Sequence, residues 1–185
     1  MLRPTKSEIE AGIIDRAAAL FAQHGFAHAS LSQIADAVGY SKAGLLHHFP
    51  SKQAIYDAGI RTLREHAEEM LESVKGLPVG RERDLAVVEA SVTFAFEQPG
   101  ISALGNRIAL DPDPNDQQMN EIGFIMYEAI GIDLQKLELD RIIRVTCAFS
   151  GLGITANLAV RTKQTKEWRA SMVAATMDAL GHRQP

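Results

Sequence analysis

The residues best suited to chemistry gather between Ser30 and Lys52, where Ser32, Gln33, Tyr40, Ser41, Lys42, His47, His48 and Lys52 supply hydroxyl, amide, imidazole and ammonium groups. Side chains of this kind hydrogen-bond to anionic oxygens, phosphate above all. Lys52 stands at the start of a helix that Ser51 can cap, where free N–H groups and the positive end of the helix dipole also favour an anion. Ser32 and Gln33 hold the same place on the helix that Ser30 opens. A metal role is not indicated: His47 and His48 are adjacent, so on a helix they point about 100° apart, and Gly25 interrupts the helix that His24 and His28 would have to share. Nowhere does the chain show a nucleophile–base pairing, a phosphate loop or a cofactor fingerprint, which argues against an enzyme and for no cofactor.

The elements that must position these groups are helical, and no stretch has the alternating pattern of a half-buried strand, so the fold class is all-α. Apolar residues Ile9, Ile13, Ile14, Ala17, Leu20 and Phe21 recur every three or four positions over 7–24. Gly25 ends that helix with a left-handed cap, and Phe26 can fold back on Phe21. Ser30 and Gln33 form a capping-box signature for a helix of two turns ending at Gly39. Ser41 opens a second short helix through His48, which Phe49-Pro50 stops. Two short helices about Gly39-Tyr40-Ser41 have the layout of a helix-turn-helix, whose second helix is sized for a DNA major groove. Ala35 is small where the helices pack, and Leu45 can anchor the second one to the core.

These residues resemble the TetR family of bacterial transcriptional regulators. The resemblance rests on three blocks at matching spacing: Ile14 to Phe26, Ser30 to Lys42, and Leu45-Leu46-His47-His48-Phe49-Pro50-Ser51-Lys52. It implies a DNA-binding set of Ser32, Gln33, Tyr40, Ser41, Lys42, Ala43, Gly44, His47, His48 and Lys52. Lys42 would reach a phosphate or base edge, Tyr40 would donate its hydroxyl, and Lys52 would clamp a phosphate. Leu46 departs from the family, which usually has a phosphate-binding tyrosine there; Gly44 replaces a frequent threonine.

The remainder must serve that head. Helices are expected over 52–74, 82–98, 102–110, 115–132, 138–160 and 165–180, with an irregular break at Pro99-Gly100 and a turn at Asp111-Pro112-Asp113-Pro114. A head over 6–66 and a regulatory and dimerisation body over 67–185 follow. The net charge of −4 divides as +2 over residues 1–64 and −6 over 65–185, so a basic head precedes an acidic body. That is compatible with DNA because the field that matters is local. Phe94, Phe124, Tyr127 and Phe149 are candidates to line an apolar ligand pocket. Gly151, Gly153 and Ala156 form a small-residue strip, and with Val160, Trp168, Met172 and Thr176 the latter two give a candidate homodimer interface. Cys147, the single cysteine, reads as a buried small apolar residue. The N-terminal residues show no apolar run, so neither a signal peptide nor a membrane span is expected and the location is cytoplasmic. The resemblance implies a repressor that binds a palindromic operator as a homodimer and is released by an unidentified small-molecule effector. A helical enzyme with an incidental head, or an adaptor without DNA activity, are the alternatives.

Overall fold

The computed structural model describes residues 4–182, which form nine helices and no strand among them. They are α1 (Lys6–His24), α2 (Leu31–Val38), α3 (Lys42–His48), α4 (Lys52–Val74), α5 (Arg81–Glu97), α6 (Pro99–Leu110), α7 (Gln117–Ala129), α8 (Leu139–Arg161) and α9 (Thr165–Ala179). The architecture is a helix-turn-helix head and a helical body. The chain divides into two compact units, one of residues up to Leu63 with Gly100–Asp111, the other of Arg64–Pro99 with the residues from Pro112 on.

In the first unit the apolar stripe of α1 supplies the core: Ile13, Ala17, Ala18 and Phe21 are buried with Ile34, Leu45 and Ile55. A capping box of Thr5 and Glu8 starts α1 at Lys6, one residue before the expected start at position 7. Gly25 closes α1 with φ 81° and ψ 152°. That is a glycine conformation but not the left-handed one expected, because the chain leaves the helix extended. Phe26 nevertheless folds back, its ring centroid 5.5 Å from Phe21 and 5.0 Å from Tyr56.

Helix α6 also belongs to this unit, although the contiguous division at 66/67 leaves it in the body. The Asp15 carboxylate on α1 accepts hydrogen bonds from Gly100 N–H (2.7 Å) and Ile101 N–H (3.0 Å), capping α6 from another helix. Burial pushes the Asp15 carboxyl up, while the two N–H donors pull it down. A Cβ at Gly100 would lie 1.8 Å from the Asp15 carbonyl oxygen, so only glycine lets the helices approach this closely. The irregular break expected at Pro99-Gly100 is therefore the first turn of α6, with proline at the position where its missing N–H costs nothing.

In the second unit α5, α8 and α9 pack around Val87, Val88, Val92, Ala148, Leu152, Ala156, Met172 and Met177. Asp84 is fully buried there, its carboxylate bound by Arg141 Nη2 (2.7 Å) and His182 Nε2 (2.7 Å). Arg83 donates to the carbonyls of Leu77, Glu128 and Ala129 (3.1, 2.8 and 2.8 Å), satisfying the end of α7. By length and composition α8 could cross a membrane, with mean hydropathy 1.4 over its most apolar window. It nonetheless buries Val145, Ala148, Leu152, Gly153, Ala156 and Ala159 as a core helix does.

Candidate nucleic-acid interface

The turn between α2 and α3 is built by local hydrogen bonds. Ser30 Oγ accepts from Gln33 N–H (3.2 Å) while Gln33 Oε1 accepts from Ser30 N–H (2.8 Å), so the amide oxygen of Gln33 is occupied by the cap. Gly39 takes φ 73°, ψ 26°, the left-handed conformation that ends α2. Tyr40 N–H then reaches Ala35 O at 2.9 Å, closing the last turn. Ser41 Oγ accepts from Gly44 N–H at 3.1 Å and starts α3.

Helix α3 is fixed from one side by Leu45, which is fully buried. Its outer side carries Lys42, Ala43, Leu46 and His47, all exposed. At 100° per residue these four fall on one face. Ser32 and Ser41 are also exposed. Leu46, set aside on the sequence because it cannot donate to phosphate, therefore stands on the presented row. Its spacing of four from Lys42 was the available signal, and an apolar side chain there suits a thymine methyl group. A Cβ at Gly44 would come within 3.3 Å of both Ser41 Oγ and the Tyr40 ring. Glycine thus lets Tyr40 lie across the first turn of α3.

Two residues of the expected contact set face elsewhere. Lys52 Nζ donates to Phe26 O (2.7 Å) and Ala29 O (2.8 Å), with Ala27 O at 3.5 Å, and sits 4.3 Å from the centre of the Phe26 ring. Its ammonium is consumed in tying the α1–α2 loop to α4, which corrects the phosphate-clamp assignment. His48 turns inward: its side chain is 13% exposed, with Nδ1 3.6 Å from Glu10 Oε1 and its ring edge-on to Tyr40. Adjacent residues diverge on a helix, so His47 is presented and His48 is not.

The candidate body sites also change. Phe124 and Tyr127 are 54% and 40% exposed, Phe94 stacks on His66 at 3.9 Å, and Phe149 packs against the core. None of these four lines the open depression of about 760 Å³ in the body, whose walls are Arg81, Glu138, Asp140, Arg141, Arg144, Leu180, Gly181 and His182. Of the expected interface, Gly153, Ala156, Met172 and Thr176 are buried within the chain, and Val160 and Trp168 are half-buried. The small residues admit α8's own neighbours rather than a second copy. What α8 presents to solvent includes Ile143, Cys147, Gly151, Ile154 and Leu158, interspersed with Arg144, Thr146, Ser150, Asn157 and Arg161. Cys147 is thus exposed, contrary to its expected burial.

Residues 13–58 match the sequence model described as "Bacterial regulatory proteins, tetR family". Over these residues the head is similar to bacterial regulators of the tetR family. Among curated proteins, the chain is similar to the HTH-type transcriptional repressor KstR2 of Rhodococcus jostii, 31% identical over 58% of this chain and 50% of that protein. It is also similar to the HTH-type transcriptional regulator RutR of Escherichia coli, 45% identical over 28% of this chain and 24% of that protein. The chain thus spans half or less of the length of these relatives, all named as regulators of transcription. A crystal structure described as "Probable transcriptional regulatory protein RHA5900" shares the fold, with a TM-score of 0.61, 23% identity and coverage of 95% of this chain and 100% of that one.

Proposed function

We propose that the chain is a DNA-binding transcriptional regulator, a cytoplasmic repressor that grips a palindromic operator as a homodimer and is released by a small molecule bound in its body. The observation that carries this reading is the exposed row Lys42, Ala43, Leu46 and His47 on a short helix held from behind by Leu45. A cation, two small or apolar groups and an imidazole on one helix face can meet phosphate, methyl and base edges together. Ser32, Ser41 and the free amide nitrogen of Gln33 supply further donors. The names of the relatives support regulation over catalysis.

The homodimer is supported by the exposed apolar residues Ile143, Ile154 and Leu158 on one side of α8, since a closed twofold assembly buries the same patch on both copies. An effector acts by preferring the conformation that binds DNA poorly, and it lowers affinity by that preference alone. Gel shifts with a duplex from the gene's own upstream region test the reading. Sequence-selective binding that weakens with salt is expected; its absence across the region overturns the assignment.

A further inference from the structure

The order of side chains around α3 differs from their order along it. Counting ~100° per residue from Lys42, Leu46 falls at ~40°, Ala43 at ~100° and His47 at ~140°. Leu45 and the inward-turned His48 lie on the other side, at ~300° and ~240°. The two apolar residues therefore hold the middle of the presented face, and the ammonium and imidazole flank them. Gly44 adds no side chain, so the middle of that face carries no side-chain donor or acceptor. Among the described residues up to Leu63, Leu46 is the one large apolar side chain left exposed, at 37%.

A recognition helix turns such a face toward base edges in the major groove. Every base shows hydrogen-bonding atoms there, and thymine alone also shows a carbon group, its C5 methyl. A leucine or alanine laid over the polar atoms of guanine, adenine or cytosine takes water from them and returns no hydrogen bond. Laid against the methyl, it buries apolar surface on both partners.

We propose that Leu46 and Ala43 read thymine C5-methyl groups, so that each operator half-site places one or two T·A pairs under the middle of α3. This rests on the regulator reading above and adds to it the feature of the DNA that is selected. Lys42 and His47 make the polar contacts on either side. Uracil is the discriminating base, because it keeps the hydrogen-bonding atoms of thymine and lacks only the methyl.

The probe is the upstream duplex that the wild-type chain selects, prepared with thymine and again with deoxyuridine at each thymine in turn, and affinity is read by anisotropy. Wild type should bind about fourfold more weakly for each read methyl removed. Leu46→Ala should bring the penalty at its own position below about twofold, Ala43→Gly should do the same at its own, and Lys42→Ala should keep both. Each ratio compares two duplexes with one variant, so a general loss of affinity or stability cancels. Uracil duplexes bound by wild type as tightly as the thymine duplex overturn the methyl readout and leave the regulator reading standing. A penalty undiminished in both Leu46→Ala and Ala43→Gly belongs to DNA shape and overturns it too. Absence of selective binding to any upstream duplex overturns the regulator reading itself, and the methyl readout with it.

Discussion

Lys42 and Lys52 carry the same charge in the same unit, but only Lys42 is free to meet a phosphate. Lys42 is exposed on the outer row of α3, whereas the Lys52 ammonium is bound by the carbonyls of Phe26 and Ala29. Lys42→Ala should therefore reduce the slope of log affinity against log salt by about 0.9, the share of one phosphate contact, read by anisotropy with the upstream duplex. Lys52→Ala should leave that slope and destabilise the head by about 2–3 kcal/mol, because charge-assisted hydrogen bonds are lost and loop carbonyls stranded; thermal unfolding measures it. A reduced slope with unchanged stability in Lys52→Ala would return the phosphate role to Lys52. The chemistry of these residues was legible in the sequence, as was the turn at Gly39. The direction of the Lys52 side chain was not, since it depends on where residues 26–29 fold, and the same holds for His48 beside Glu10.

Helix boundaries depend on local chemistry, and so Ser30, Gly39, Ser41 and Pro50 marked theirs plainly. Helix α6 was harder, because its start is capped by Asp15, a residue 85 positions away. Gly100→Ala should test that contact: with a Cβ 1.8 Å from the Asp15 carbonyl oxygen, α1 and α6 must separate, and a loss of about 3 kcal/mol or more is expected in denaturant unfolding. A near-neutral Gly100→Ala would show that the two helices yield freely. In the second unit, α4 and α5 meet through the His66–Phe94 stack, and burial pushes the His66 imidazole down to about 4. Between the ordinary value of 6.5 and about 4, the unfolded chain takes a proton that the folded chain refuses. The stability contributed is thus complete above pH 6.5 and is lost as the pH falls toward 4. Allowing for partial solvent contact, acidification from pH 7.5 to 4.5 should cost wild type about 1–3 kcal/mol more than His66→Phe. Equal acid sensitivity in the two proteins would assign the loss to other groups.

At the scale of the whole molecule, periodicity could find α8 but not say which of its faces meets the rest of the chain. Between Val145 and Val160 the helix carries no charged residue, so apolar positions alone do not tell a buried face from a presented one. The small residues Gly153 and Ala156 are spent inside the body, leaving Ile143, Ile154 and Leu158, at 52%, 73% and 45% exposure, as the surface without a partner. These positions are spaced by eleven and four and share one side of the helix. A stable dimer needs about 800 Å² from each copy, with an apolar centre, and a ridge of this kind supplies such a centre. Ile154→Glu places a charge in it without touching the core, so sedimentation at micromolar concentration should give a monomer with an unchanged helical spectrum. Gly153→Arg, by contrast, should unfold the body rather than merely separate two copies, because its side chain would enter the packed interior. A folded dimer in Ile154→Glu would move the interface off this face of α8, and a folded monomer in Gly153→Arg would restore the small-residue strip to it.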